Sequence, residues 1–307
     1  MTALRFGLMT HAAADWPVLT ERWRHFEAAG FDALWAGDHL WSALNADGNG
    51  YTQPRFDAWM LAAGIANATT RVSVGTLVSA INMRNPAVLG KQALTLDHMS
   101  GGRAVAGIGA GGNPKDGAVA GEPAWGPEEK SARLAEYLDV VRRVSSGGEL
   151  AFDGTYYRTS GVAGPAPVAP QVPLLVAAHL KSSLAVTARY ADVWNSYGTL
   201  FSQLAKGVKL TAQESLTVTA RRSAFLDAEC ERIGRDPATL RRSFMLAFTQ
   251  DAPWVSVQQF RDTVGGYAEA GITEFMFPFP LQGPHDPEVF TEVVETVMPR
   301  LQAGERP

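Results

Sequence analysis

A chain of 307 residues, 46% hydrophobic and 19% charged, carries the apolar material for a large core, which excludes wholesale disorder. A formal net charge of −4 leaves no basic footprint for nucleic acid, and the one cysteine, Cys230, excludes a disulfide framework and an all-cysteine zinc site. No apolar run approaches the roughly 18 residues of a membrane helix, and Arg5 and His11 interrupt the apolar start, so no signal peptide is read; the expected class is a soluble, cytoplasmic α/β enzyme.

Short apolar runs rich in β-formers predict eight strands: Leu4–Thr10, Ala33–His39, Val72–Val78, Ala104–Gly109, Leu174–His179, Val193–Tyr197, Ser243–Thr249 and Glu274–Phe279. Between them, apolar residues recur at i, i+4, i+7, as in Leu19, Trp23, Phe26 and in Leu134, Leu138, Val141, so each strand is followed by an amphipathic helix. Cys230 falls in one such stripe and reads as a buried core thiol. Asn85-Pro86 and Asp286-Pro287 place a capping side chain before a first-turn proline, and Gly30, Gly234 and Gly271 suit helix C-termini. Eightfold strand–helix alternation predicts a single (β/α)8 TIM barrel spanning 1–307, with a doubly wound open sheet as the other arrangement. Long excursions follow strand 2 (40–56) and strand 4 (110–126), and a hairpin around Asp153-Gly154 sits before strand 5, within 148–172.

Barrel enzymes place their chemistry at the C-terminal ends of the strands. His11, His39 and His179 fall at such ends, without an HxH pair or HExxH motif to make a metal site. Gly107–Gly112 matches GxGxxG after a strand, but 113–117 reads as loop, so these glycines suit close approach of backbone to a flat ligand more than a dinucleotide fingerprint. Ala178, His179, Lys181 and Ser182 lead into a helix whose free N–H groups can hold a phosphate. Trp41, Trp59, Trp125 and Trp194 stand as candidate apolar walls.

Several stretches carry a family likeness: Ala33–His39 with its Gly37-Asp38-His39 ending, Gly75–Val78, Arg84-Asn85-Pro86, Ser100–Gly111, Ala188–Asn195, Ile233–Pro237 and Tyr267–Phe275. Together they resemble the bacterial luciferase-like oxidoreductases, above all the branch that uses coenzyme F420, a 5-deazaflavin. The resemblance implies a (β/α)8 barrel with a redox ring across the strand ends, and hydride transfer between coenzyme F420 and a small organic substrate. The alternative is a monooxygenase using reduced FMN and oxygen. By resemblance His39 is the catalytic residue, an imidazole placed to give or take a proton. Asp38, Leu77, Val78, Gly109, Ala110, Gly111, Ala178, His179, Lys181 and Ser182 bind the coenzyme, and Leu77–Val78 is a non-prolyl cis peptide backing the ring. His11, Trp41 and Trp194 line the substrate, and Arg84, Lys115, Lys181, Lys206 and Lys209 receive the coenzyme's polyglutamate tail. The glutamate that some relatives carry after the strand-4 glycines is Gly112 here, so a partner acid for proton transfer is either missing or supplied by the substrate or another loop. The partners expected are a second copy of the chain, docked through outer helices, and a separate enzyme that reduces the coenzyme.

Overall fold

The structure, a computed structural model, describes residues 3–10, 14–40 and 56–307. In chain order its elements are β1 (Arg5–Thr10), α1 (Trp16–Ala28), β2 (Ala33–Ala36), α2 (Ala58–Ala68), β3 (Ser73–Thr76), the two-residue β4 (Ser79–Ala80), α3 (Pro86–Ser100), β5 (Ala104–Gly109), α4 (Pro114–Val119) and α5 (Pro127–Ser145). They continue through β6 (Gly148–Asp153), β7 (Arg158–Gly164), β8 (Leu174–Ala177), α6 (Lys181–Tyr190), β9 (Val193–Ser196), α7 (Phe201–Leu204) and α8 (Ala212–Arg232). The last are β10 (Arg241–Met245), α9 (Val257–Glu269), β11 (Glu274–Phe279), α10 (Pro287–Glu292) and α11 (Met298–Gln302), with a π-helical turn at Val293–Val297 between the final two.

The strand order β3-β2-β1-β11-β10-β9-β8-β5 returns on itself through a β5–β3 pairing, so eight parallel strands close a barrel. Closure is tight: a Cβ on Gly107 would stand 1.8 Å from the Thr76 carbonyl oxygen, and one on Gly75 1.9 Å from that of Val105. Only glycine lets these two backbones approach so closely.

Because side chains alternate across each strand, one set fills the lumen and the other meets the helices. Trp35, Val105, Leu175, Val193, Met245 and Met276 form the lumen cluster, with Met9, Val78, Tyr197 and Phe248 packed on it. The opposite set, including Phe6, Leu34, Val74, Ile108, Val176, Trp194 and Phe244, joins the helix faces in the main core. Cys230 is fully buried there, as its stripe predicts.

The capping residues also behave as read. Asn85 accepts from the Ala87 amide and Asp286 from that of Glu288. Gly30, Gly234 and Gly271 have φ of 94°, 74° and 91°. The predicted hairpin is the antiparallel pair β6–β7, with Asp153 opposite Arg158. Its turn is held from outside: the Glu136 carboxylate on α5 accepts from the Thr155, Tyr156 and Tyr157 amides at 2.8–3.1 Å.

Several boundaries differ from expectation: the second strand stops at Ala36 rather than His39, the third at Thr76 rather than Val78 and the fifth at Ala177 rather than His179. The seventh strand is Arg241–Met245 rather than Ser243–Thr249, because Arg241 and Arg242 at its start are held by Glu274 and Asp227. The segment 113–117, read as loop, opens α4: Asn113 accepts from the Lys115 amide ahead of a first-turn Pro114. Among the described residues, no helix is long and apolar enough to cross a membrane.

Candidate active site

The C-terminal mouth of the barrel has an apolar floor. Leu77–Val78, between β3 and β4, is a cis peptide without proline, in the place the resemblance implies. Val78 lies under Gly109, where a Cβ would come within 2.8 Å of its Cγ2. Gly111, at φ 80°, continues this bare backbone, and a Cβ there would meet the Asn82 Oδ1 at 2.7 Å. That Oδ1 is buried and has no hydrogen-bond partner, a polar atom left over at the edge of the floor.

His39 stands beside this floor. β2 ends at Ala36, so Gly37, Asp38 and His39 leave the strand as a loop, and alternation of faces does not govern them. The His39 Nδ1 lies 2.8 Å from Asp116 Oδ2 on α4. A carboxylate only accepts, so Nδ1–H donates, and Nε2 carries the lone pair of the neutral ring. The His39 side chain is 36% exposed and that of Asp116 3%. The buried carboxylate thus orients a ring that solvent and substrate can reach. It lies four residues beyond Gly112, on the same excursion that follows β5.

Asp38 takes a different part. It is buried, accepts from the Ser79 hydroxyl at 2.5 Å, and is gripped by both guanidinium nitrogens of Arg84. Ser79 in turn accepts from the Trp59 indole at 3.0 Å. This network ties the His39 loop to the residue after the cis peptide. Arg84 also pairs with Asp57 at 2.8 Å and is raised above its ordinary pKa by those carboxylates against the cost of burial.

A cationic end lies across the floor. Lys130 of α5 donates to the Gly111 carbonyl at 2.7 Å, and burial holds its amine below the ordinary lysine range. The next residue, Ser131, donates to Ser182 at 2.8 Å in the first turn of α6. α6 begins after Leu180 without a side-chain cap on its first-turn amides. Uncapped N–H groups, the helix dipole and an amine make an anion-binding end. An apolar floor with bare backbone at one side and such an end at the other fits a flat ring that carries a phosphate arm.

The sequence profile of the luciferase-like monooxygenases matches residues 1–252. The chain belongs to that family. Among its relatives is an F420-dependent hydroxymycolic acid dehydrogenase of Mycobacterium tuberculosis, 27% identical over 74% of this chain and 62% of the relative. Two solved structures show the shared fold. The coenzyme F420 dependent tetrahydromethanopterin reductase of Methanopyrus kandleri superposes with a TM-score of 0.76 at 15% identity, covering 98% of this chain and all of that one. A long-chain alkane monooxygenase gives 0.76 at 14% identity, covering 100% and 93%.

In this luciferase-like barrel the expected site residues separate into groups. Leu77, Val78, Gly109, Ala110 and Gly111 come together at the floor, and Lys181 and Ser182 lie at the anion end. Ala178 is buried, with its carbonyl taken by the Trp194 indole at 2.9 Å. Trp194 is a correction: it is fully buried on the helix side of β9 and offers substrate no surface. Trp59 and Trp125 are likewise packed away, the latter under the Arg133 guanidinium. Arg84 is a second correction, since an arginine 11% exposed between two aspartates is not a rim charge for a tail. His11 and Trp41 lie outside the described residues. Asp116, Lys130 and Asn82 carry no local sequence signal of a site; the Asn113-Pro114 cap signature marks only the element that carries Asp116.

His179 sits away from His39, against the Tyr197 ring at 4.0 Å, with its Nε2 accepting from the Tyr197 amide at 3.3 Å. Burial, and then the nearby Arg222 charge, push its pKa well below the ordinary 6.5. A depressed folded-state pKa means the unfolded chain binds the proton first. Stability is therefore full above pH 6.5 and falls as pH drops from there toward the folded-state value, by up to about 1.4 kcal/mol per pH unit for this one group. Denaturant midpoints between pH 7 and 5 should fall less steeply in His179→Phe than in the wild type; parallel curves would remove His179 from the acid response.

Proposed function

We propose that this luciferase-like protein is an oxidoreductase that moves a hydride between coenzyme F420 and a small organic substrate. The observation that carries the reading is the His39–Asp116 pair standing beside the cis-peptide floor. When bound, the coenzyme supplies two-electron hydride chemistry at one carbon of its ring. The protein does the rest. Leu77, Val78 and the bare backbone of Gly109 to Gly111 hold a ring flat, while Lys130 and the α6 amides hold its anionic arm. His39 Nε2 takes a proton from a substrate hydroxyl, or in the imidazolium form gives one to a developing oxyanion. Asp116 fixes the ring orientation and stabilises the imidazolium. The relatives named for F420 support the choice of coenzyme. By the same reading the working unit is a homodimer, and a separate enzyme returns the coenzyme to the redox state this one consumes.

Arg84 favours a second reading, a reduced-FMN monooxygenase. With that arginine committed to Asp38 and Asp57, the rim has one charge fewer for a polyglutamate tail, and FMN has none to place. Titration of both coenzymes by quenching of tryptophan fluorescence or by calorimetry separates the readings. The expected result is one F420 per chain, bound more tightly than FMN. Equal or tighter FMN binding, with oxygen uptake when reduced FMN is supplied, reverses the assignment.

A further inference from the structure

Just past the C-terminal end of β9, α8 and the segment 198–210 line an open groove of about 480 Å³, within the size range of small-molecule sites. At its inner end is Arg222. This side chain stands on the inner face of α8, in line with the buried Ser215, Thr219 and Leu226, and is itself 9% exposed. Its one hydrogen bond among the described residues is a long one to the Ser196 hydroxyl, at 3.4 Å. None of the described ion pairs includes it. The electrostatic neighbour that offsets its burial is Tyr197, a phenol pushed up to about 12 and therefore neutral. The other neighbour, His179, is kept uncharged by burial and by Arg222 itself. An arginine cannot discard its proton near neutral pH, so the positive charge stays, buried and unmatched among the described residues. Its own pKa, drawn down to about 10 by desolvation, agrees with that geometry.

Buried charges are ordinarily paired, and an unmatched one is costly to keep. The groove supplies further donors. Gln203 accepts through Oε1 from the Thr199 hydroxyl and the Leu200 amide, which leaves its NH2 group as the remaining polar end. Arg221 lies exposed on the same wall. The one carboxylate on the lining, Glu214, is held at the start of α8, where its Oε2 accepts from the Thr211 amide and hydroxyl at 2.9 Å. The donors are cationic or neutral, and the acid is turned to capping.

We infer that Arg222, with Gln203 and Arg221, forms an oxoanion site in this groove that takes a phosphate group, separate from the anion end at Lys130 and α6. The groove is far larger than one phosphate, so there is room for a phosphate carried on an organic body as well as for the free ion. The guanidinium supplies paired N–H donors to two oxygens, and the anion supplies the missing countercharge.

The test uses the whole protein and inorganic phosphate, with chloride at matched ionic strength as reference. The Nε–Hε signal of Arg222 is read by ¹H–¹⁵N NMR and identified by its loss in Arg222→Lys. It should shift saturably with phosphate and not with chloride, and should do so equally in Lys130→Met, which disables the other anion end. In Arg222→Met the phosphate dissociation constant should rise at least about tenfold, the loss of a charge-assisted contact. Its melting temperature without phosphate should equal or exceed that of the wild type. Gln203→Leu should weaken phosphate while leaving the fold intact, so the inference remains decidable if Arg222→Met fails to fold. Methyl phosphate distinguishes the sources: tighter binding than inorganic phosphate marks a site for an esterified ligand, weaker binding a site for the free ion. An Arg222 signal that phosphate moves no more than chloride does, or undiminished phosphate binding by Arg222→Met, overturns the inference.

Discussion

His39→Ala should lower the rate of hydride transfer in a single turnover by about 10² to 10⁴, the usual contribution of a positioned general acid or base. That is roughly 3–5 kcal/mol of transition-state stabilisation. Coenzyme affinity should change little, because the floor residues and the Lys130 end, not the histidine, are the groups that would hold the coenzyme. The substitution does remove one hydrogen bond from a carboxylate that is 3% exposed, so a modest drop in melting temperature accompanies it. Asp116→Asn separates the two effects. It keeps the shape of the side chain but not its charge, so it should lower the rate less than His39→Ala. Near-wild-type turnover by a folded, coenzyme-loaded His39→Ala protein would take His39 out of the chemistry and leave the pair a structural contact.

The second large effect is expected on stability. Arg84→Met leaves Asp38 2% exposed with only the Ser79 hydroxyl to answer it. Removing one partner of a buried ion pair typically costs about 3–5 kcal/mol, since the other charge remains without compensation. At about 2–3 °C per kcal/mol for a chain of this size class, the melting temperature should fall by roughly 6–15 °C. Asp38→Asn in the same protein removes the stranded charge, so the double variant should be more stable than the sum of the single losses predicts. Guanidinium unfolding curves of the four proteins give the coupling. A loss below about 1 kcal/mol in Arg84→Met would mean that water, not arginine, balances Asp38.

How much of this was legible in the sequence depends on whether the cause was local. The strands, helix stripes and proline caps follow from periodicity and from side chains within a few residues of one another, and the barrel follows from their order. The floor at Leu77–Val78 was placed by family likeness. What local pattern did not show was which far-off partner each polar residue would meet. Arg84 looked like a surface charge because Asp38 lies 46 positions away. Asp116 is not legible locally, because a six-residue helix is too short to show a stripe and 77 positions separate it from His39. Strand alternation, carried one residue further from the lumen-facing Val193, turns Trp194 toward the helices rather than making it a wall.

The strand order has a consequence for how the molecule is made. β1 finds its neighbour in β11, with Arg5 opposite Glu274, so the first strand synthesised waits for the last. Until β11 leaves the ribosome, β1 and β10 both present open edges of backbone donors and acceptors beside a core that is otherwise assembled. Such a long-range pairing is slow to form, and the unfinished barrel can pair with a neighbouring nascent chain in the interval. Ribosome-bound chains halted before Glu274 should accordingly recruit chaperones and resist protease poorly, and protection should appear in one step once β11 is free to close the ring.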